Sequence, residues 1–299
     1  MKSAFSIAAV ICALVIAGES AAQRKTDVSF SPFVSKGFGY TKWVMEEYGD
    51  LGGGTLGTVK SELEYPLNAL YGGLTLKFGS APSAWKSWSV SLSLGTNFND
   101  PSGIMKDHDW ITVPGVIDEK ISYTESSVEM GSLVGALEWT RTLTRGRTAQ
   151  FGLFGGIRYQ HIDQELYDLW GWQLNDDLVR VYFDVFQDTL VGTYKITYTM
   201  PHFGFFTGVT LHPAATATLR SGFMIAIVSD EDDHVLRNRK ATASGSGYGF
   251  LGGVSIRFAP AGPTRPMRPF LELDGELIYV NASPRQTIEW YGDAPITGY

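Results

Sequence analysis

Strict alternation of apolar and polar residues over strand-length segments is the feature that most constrains what this chain can fold into. Between Trp88 and Phe98, the even positions are mainly apolar or aromatic and the odd positions are Ser, Gly or Asn. The segments 217–227, 248–258 and 271–279 alternate in the same way. Because successive side chains of a strand point to opposite faces, this pattern predicts antiparallel β-strands with one apolar and one polar face.

Two kinds of all-β protein could carry such strands, a soluble β-protein and a transmembrane barrel. The polar face bears charged residues that could pair inside a barrel, and the apolar face bears aromatic residues suited to the girdles at a membrane boundary. These residues are Arg220, Arg257, Glu272, Asp274 and Glu276 on one face, and Trp88, Tyr194, Tyr198, Tyr248 and Tyr279 on the other. Short turns rich in Pro and Gly also alternate with long polar connections, near 47–57, 99–124, 163–188 and 229–247. One rim with short turns and one rim with long connections is typical of an outer-membrane barrel, so the pattern favours an antiparallel transmembrane β-barrel.

The number of strands raises a question about closure. We count nine, at 27–46, 58–78, 87–99, 124–142, 150–164, 189–211, 216–234, 240–259 and 268–290. Single-chain bacterial barrels normally have an even number of strands. The residues after Trp290 are too few for a further tilted membrane strand. We therefore expect either that the last strand is missing from this sequence or that the first strand distorts to close on the ninth.

The N-terminal residues have the pattern of a secretory signal peptide. Lys2 precedes an apolar stretch from Ile7 to Ala17, and the small residues of a cleavage site follow. We assign residues 1–22 to the signal peptide and 23–299 to a single barrel domain. The only cysteine, Cys12, falls in the signal peptide. An exported chain with a formal net charge of -7 is also a poor nucleic-acid binder.

Strand parity, carried into the polar connections, brings carboxylates and a histidine to the inner face. From the segment 217–227, parity predicts that Asp230, Asp232 and His234 point inward; from 88–98, it predicts the same of Asp107 and Asp109. An imidazole that takes a proton from water, an Asp that orients it and a further carboxylate that places the water would form a hydrolytic site.

Two other interpretations of these acids remain open. The charged run could be a solvated loop. Asp230, Asp232 and Asp233 could also bind calcium through carboxylate oxygens, although Asp233 has the opposite parity.

Three stretches, "GIMKDHDW", "TMPHFGFFTG" and "SDEDDH", occur in an order that resembles the omptins, ten-stranded endopeptidases of the outer membrane. The resemblance implies catalysis by Asp107, Asp109, Asp232 and His234. In that family, water held between the His and an aspartate attacks the peptide bond. His234 would be the general base, Asp232 its orienting partner, Asp107 the group that positions the water, and Asp109 a stabiliser of the oxyanion through a shared proton.

The resemblance also implies binding residues. Asp230 matches a carboxylate that lines the pocket for a basic substrate residue, and Asp118, with Glu119 as its rival, matches the acid for a second basic residue. Tyr159 matches the tyrosine of the family's endotoxin motif. The expected partners are a peptide or protein substrate and outer-membrane lipid, for a monomer with its site facing the cell exterior. No cofactor and no metal are expected.

Departures from the family's pattern qualify these expectations. The acid expected near Trp43 is absent, which weakens the case for a strict Arg or Lys preference. Asp163 stands where the endotoxin motif has an Arg, so we expect activity to depend little on lipopolysaccharide. The alternative to a protease is a catalytically inactive surface barrel that serves as an adhesin, an anchor or a narrow pore.

Overall fold

The computed structural model is an antiparallel β-structure with almost no helix. It describes residues 3–5, 17–20, 26–51, 54–80, 87–98, 103–175, 177–259 and 267–291. Its strands are β1 (Ser3–Phe5), β2 (Ala17–Ser20), β3 (Thr26–Gly37), β4 (Tyr40–Asp50), β5 (Leu56–Pro66), β6 (Ala69–Ser80), β7 (Trp88–Asn97), β8 (Gly103–Val113), β9 (Ile117–Arg145), β10 (Ala149–Leu174), β11 (Arg180–His212), β12 (Ala215–His234), β13 (Arg239–Phe258), β14 (Met267–Ala282) and β15 (Arg285–Trp290). A single turn of 3-10 helix, Val235–Arg237, joins β12 to β13. No helix in the described ranges is long and apolar enough to cross a membrane.

These strands form the nine long antiparallel segments that the sequence predicts. Strands β9 to β13 are each continuous, whereas four segments consist of two consecutive strands separated by a short break: β3 with β4, β5 with β6, β7 with β8, and β14 with β15. The prediction of an all-β antiparallel barrel with about nine strands is therefore confirmed for the residues that the structure describes.

The prediction of long polar loops is wrong for three of the four connections. Most of 99–124 and of 163–188 is β-strand, and 229–247 is strand except at the short turn of residues 235–238. The reason is that these strands stand beyond the apolar part of the barrel, where both faces can be polar. Cross-strand backbone hydrogen bonds stabilise them there without any apolar face, so alternation of polarity does not reveal them.

The strand pairings form a ring with a distinctive seam. Strand β9 pairs with β7 on one side and with β10 on the other, and the order continues through β11, β12, β13 and β14. Between β14 and β3 lies β2, which pairs Ala17 with Phe270 and Gly18 with Phe30. A piece of the predicted signal peptide thus occupies the position of a tenth strand. Direct pairing of β3 with β14 is not found in the described part of the chain, and residues 292–299 and Cys12 lie outside it.

The outside of the ring is an apolar belt. Large apolar side chains, one or more from each long strand, are exposed by 41% to 64%, for example Leu74, Leu92, Leu137, Ile157, Phe203, Leu219, Phe250 and Leu277. Exposed apolar area of this extent marks a surface that water does not cover. An outward apolar band around a closed antiparallel sheet is the exterior of a transmembrane barrel.

The lumen inside the belt contains paired charges, as parity predicts. Arg158 contacts Glu276 at 2.5 Å, and Arg220 contacts Glu138. Charges in a low-dielectric interior are stable only when they are paired in this way. The lower lumen also holds a cavity of about 770 Å³, which is lined at one end by residues of the short turns.

A layer of fully buried side chains closes the lumen above this cavity. The layer includes Tyr65, Tyr194, Tyr198, Met200 and Met224, none more than 1% exposed. The prediction that Tyr194 and Tyr198 belong to an outer aromatic girdle is therefore wrong, because β11 pairs them with the buried Asp232 and Val228 and so turns them inward. Phe154 lies beneath them, and glycines make room for its ring: a Cβ at Gly204 would lie 2.6 Å from a ring atom. The barrel is therefore divided into a lower chamber and an upper part that carries the polar strand ends.

Replacement of Leu137 by Arg tests the membrane assignment. Leu137 faces outward between Leu92 and Ile157, so the charge would enter hydrocarbon, at about 2–4 kcal/mol for a site near the midplane. We expect the variant to refold poorly into lipid bilayers, as measured by urea titration and heat-dependent gel mobility. The control is Leu56→Arg, on an exposed side chain of the upper strand β5. Equal insertion of Leu137→Arg and the parent would contradict a transmembrane belt.

Candidate active site

The polar strand ends above the buried layer place two pairs of residues on the inner face. Asp107 lies in β8, where it pairs with Leu63 of β5 and Thr124 of β9. Asp232 lies in β12, where it pairs with Tyr194 of β11 and Ala241 of β13. Since Leu63 and Tyr194 are buried, both carboxylates share the face that points into the barrel.

The two acids of the first pair, Asp107 and Asp109, differ in their hydrogen bonds. The carboxylate of Asp109 accepts hydrogen bonds from Ser61 and from Ser122, the latter at 2.6 Å. By contrast, the Oδ1 atom of Asp107 is buried without a hydrogen-bond partner among the described residues. Burial, together with the neighbouring charge of Asp109, raises the pKa of Asp107 to about 7. Asp109 is thus held in place by two hydroxyl donors, while Asp107 exchanges its proton near neutral pH.

The second group consists of two buried carboxylates and a histidine. Nε2 of His234 lies 3.0 Å from Oδ2 of Asp232. Asp230 and Asp232 are 7% and 8% exposed. Burial raises the pKa of Asp230 to about 8, with a further contribution from the charge of Asp232. At neutral pH, Asp230 is therefore mostly protonated and Asp232 has a histidine beside it.

Electrostatic coupling shows that the two groups converge. The charges of His234 and Arg237 lower the pKa of Asp107, and the charge of Asp232 raises it. Tyr65 is acted on by the charges of both Asp232 and Asp107, so the two groups lie around the same side chain. The structure thus brings Asp107 of β8 together with Asp232 and His234 of β12, although they lie far apart in the sequence.

Tyr65 links the two groups, and the sequence reasoning did not identify it. Its hydroxyl forms a hydrogen bond with Asp232, and the charges of Asp232, Asp107 and Asp230 all act on it. Its ring stacks on Tyr194 with centroids 3.8 Å apart, and Nε1 of Trp43 donates to the hydroxyl of Tyr194 at 2.5 Å. The alternating, inward positions of Leu63 and Tyr65 carry a signal that could have placed this tyrosine in the lumen.

Arg239 is a further residue beside His234 that the sequence did not indicate. It pairs with His234 across the β12–β13 turn, and its guanidinium Nη2 lies 2.8 Å from Nε2 of His234. The guanidinium can only donate, so this contact requires an unprotonated Nε2. The contact with Asp232 requires a protonated Nε2. Arg239 and Asp232 therefore favour opposite tautomers of the same imidazole.

The other predicted residues lie away from this convergence. Asp118 and Glu119 are exposed next to the β8–β9 turn, where Asp118 accepts a hydrogen bond from Thr112 at 2.8 Å. Tyr159 is 40% exposed on the outer wall. Asp233 points away from Asp230 and Asp232 and accepts a hydrogen bond from Tyr291. Within the described ranges, no group of three or more His, Cys, Asp or Glu is arranged to hold a metal ion.

In the comparisons with known proteins, a match is found among solved structures and not among protein families or curated sequences. No protein-family model and no curated protein match the chain. Among solved structures, the chain is similar to the outer membrane protease OmpT from Escherichia coli, with 12% sequence identity and a TM-score of 0.49 over 92% of this chain and 97% of that chain. This likeness assigns no role to any side chain of the present chain.

Replacement of Asp107 by Asn tests the electrostatics of the site. In the folded protein, Asp107 keeps its proton up to about pH 7, whereas in the unfolded chain it loses it near the ordinary value of 3.8. The free energy of unfolding therefore falls as pH rises through this window, because the unfolded state releases the proton first. Asn carries no such dependence. At about 1.4 kcal/mol per pKa unit, we expect the variant to gain up to about 4 kcal/mol above pH 7.

Thermal unfolding in detergent at pH 5 and pH 8 measures this effect. The gain in stability should be larger at pH 8 than at pH 5. The matched control is Asp163→Asn, which changes a carboxylate that is 44% exposed on the outer wall. If Asp107→Asn shifts the melting temperature equally at both pH values, the raised pKa of Asp107 is wrong.

Proposed function

We propose that this protein is an endopeptidase of the outer membrane that hydrolyses peptide bonds with a water activated by Asp and His. The observation that carries the proposal is the convergence of Asp107 with the Asp232–His234 pair above a closed lumen. This supplies, at one place, a base, a group that orients the base and an opposing acid that exchanges its proton near neutral pH. These are the groups that water activation needs.

The geometry suggests how each residue acts. When Nε2–H of His234 donates to Asp232, the lone pair of Nδ1 is free to take a proton from water. Ionised Asp107 accepts the other hydrogen of that water and so orients its oxygen toward the peptide carbon. The new C–O bond forms as the carbonyl oxygen becomes negative. The single proton that the Asp107–Asp109 pair holds before reaction lies on Asp109 at this stage, and Asp109 shares it with that oxygen. His234 then returns its proton to the leaving nitrogen as the C–N bond breaks.

Substrate selection in this proposal depends on the acids around the site. Asp230 would receive a basic substrate side chain, but its pKa of about 8 means that it carries little charge at neutral pH. Arg237 and Arg239 bring positive charge to the same rim. Asp118 and Glu119, exposed at the β8–β9 turn, are free of these cations and suit a second basic residue. We infer that basic substrate residues are preferred. The preference is weak at the position that Asp230 contacts, because Asp230 carries little charge and Arg237 and Arg239 lie on the same rim.

The position of the site supports the cellular assignment. The apolar belt lies below the buried layer and the convergent residues lie above it, on the side of the barrel opposite the short turns. We infer that the short turns face the periplasm and that the site faces the cell exterior, where a peptide or protein substrate can reach it. The proposal requires one copy of the chain and neither a cofactor nor a metal.

Cleavage of a peptide with paired Arg residues by refolded protein tests the function. Asp107→Asn and His234→Ala should each lower kcat/KM by at least about 100-fold, the low end for loss of general-base catalysis. Asp163→Asn is again the control and should retain the parent's rate. Mass spectrometry should locate the cut beside an Arg. Full activity in either site variant would refute the assignment.

Dependence on lipopolysaccharide is a separate expectation. The outer-wall position where the family's motif has a base is Asp163, which lies 3.7 Å from Lys195. This carboxylate repels phosphate and also neutralises the nearest base. We expect added rough or smooth lipopolysaccharide to change the cleavage rate little, or to act through a different patch. Strong activation that disappears in Tyr159→Ala would contradict this expectation.

A catalytically inactive surface barrel is the second candidate, and one observation favours it. Arg239 lies 2.8 Å from Nε2 of His234, which opposes the tautomer that the mechanism needs. Such a barrel would act as an adhesin or an anchor. A pore is less compatible with the structure, because Tyr65, Tyr194 and Tyr198 close the lumen. Loss of all cleavage in the parent protein, with the fold intact, would favour this candidate.

A further inference from the structure

A second cluster of polar and aromatic side chains lies on the outer wall of the upper barrel, with its back to the candidate active site. Asp107 and Asp109 point inward, so the residues that alternate with them in β8, His108 and Trp110, point outward. Strand pairing places Tyr123 beside His108, and Lys120 beside Trp110. We call Trp110, Lys120, Tyr123, Trp172 and Arg180 the aromatic–cation surface.

The aromatic rings of this surface form a connected group. His108 stacks on Trp110 with centroids 5.7 Å apart and an interplanar angle of 12°, and it also contacts the ring of Tyr123 at 4.8 Å. Tyr123 pairs with Trp172 of β10. Trp170, which is 44% exposed, meets the edge of Tyr123 at 6.3 Å. The rings thus extend from β8 across β9 to β10 and offer flat apolar faces at an otherwise polar height of the barrel.

Three cations lie on these rings, and the first is Lys60, with Nζ 4.9 Å from the centroid of Trp110. Nζ of Lys120 is 4.4 Å from the centroid of Tyr123, 5.5 Å from that of Trp110 and 5.8 Å from that of Trp172. The guanidinium carbon of Arg180 is 4.3 Å from the centroid of Trp172. Each contact is a cation–π interaction, which holds the charge in place but does not neutralise it.

Neither Lys120 nor Arg180 has a carboxylate within salt-bridge distance among the described residues. The nearby lysines differ in this respect: Lys42 lies 2.7 Å from Glu62, and Lys60 lies 2.6 Å from the same residue. Lys120 instead donates to Nδ1 of His108 at 2.6 Å. Strand pairing also places acids on this outward face, among them Glu62 beside His108 and Glu125 beside Trp170. The surface therefore has no general excess of positive charge. Lys120 and Arg180 are instead cations without a carboxylate within salt-bridge distance among the described residues, and a negatively charged ligand can pair with them.

The height of the surface excludes membrane lipid as its ligand. Leu133, an exposed residue of the apolar belt, lies in the same strand β9 as Lys120. At about 3.3 Å per residue, the two are separated by roughly 40 Å along the strand. Because the strands of such barrels tilt by about 35–45°, this corresponds to a height of roughly 30 Å above Leu133. A phospholipid headgroup does not reach that far from the hydrocarbon, so the ligand must come from the space outside the membrane.

We propose that the aromatic–cation surface binds an anionic polysaccharide. Lys120 and Arg180 would hold its carboxylate or phosphate groups, and the rings of Trp110 and Tyr123 would stack on the C–H faces of its sugars. A polysaccharide fits because it combines negative charge with a row of flat, partly apolar rings, whereas an acidic peptide matches only the charge. This binding is independent of the proposed peptidase and could occur in either an active or an inactive barrel.

Binding of polygalacturonate to the full chain, refolded in detergent micelles, tests the proposal. We expect binding at low salt, visible as a change in tryptophan fluorescence and by calorimetry, and weaker binding as NaCl is added. Dextran, a neutral polysaccharide, should not bind. The double variant Lys120→Gln/Arg180→Gln should bind at least about tenfold more weakly, as expected for the loss of charge-assisted hydrogen bonds.

Controls separate this site from general charge effects. Lys195→Gln/Lys240→Gln removes two cations that each have an acidic partner, so it changes the net charge equally and should bind like the parent. Arg180→Gln alone alters an exposed side chain and preserves the test if the double variant does not fold. Trp110→Leu should weaken polygalacturonate binding through the loss of stacking.

Several outcomes would overturn the proposal. They are the absence of binding to polygalacturonate, undiminished binding in Arg180→Gln and the double variant, or equal affinity for polyglutamate, which would show a surface selective for charge alone. Tighter binding of single-stranded oligothymidylate would identify a nucleic-acid surface instead.

Discussion

Pairing of backbone hydrogen-bond groups between neighbouring strands is the constraint on which the rest of this structure depends. In the hydrocarbon region no water is present to satisfy these groups, so the strands must form a ring. The ring passes from β3 to β14 through consecutive antiparallel neighbours. Strand β2, which belongs to the predicted signal peptide, lies between its two ends and pairs Gly18 with Phe30. Once the ring exists, every strand has one inner and one outer face, and strand parity decides the surroundings of each side chain.

The division into two faces explains why acids and cations occur on opposite sides of the same strand. In β8, Asp107 meets Asp232 and His234 inside the barrel, whereas Trp110 meets Lys120 outside it. Burial destabilises the anion of Asp107, so its pKa rises to about 7. The cations of the outer group rest on aromatic rings, and burial there lowers the pKa of Lys120.

Much of the barrel was predictable because its signals are local. Alternation in 88–98 and 217–227 placed the strands, and parity placed Asp230 and Asp232 on the inner face, where both are buried. The extensions of β9, β10 and β11 were not predictable from alternation. Their residues are polar on both faces, and the hydrogen bonds that hold them come from neighbouring strands, which a single sequence does not display.

By itself, the sequence determined the class of fold, the approximate course of nine long strands, and the acids and histidine that face inward, since each depends on residues a few positions apart. Only the tertiary structure decided which of these groups meet. The hydrogen bond of Tyr65 to Asp232, the competition of Arg239 with Asp232 for His234, and the cations on Trp172 all join different strands. Their energies depend on separations of a few ångströms across the barrel wall or its lumen, and strand register and ring closure set these separations.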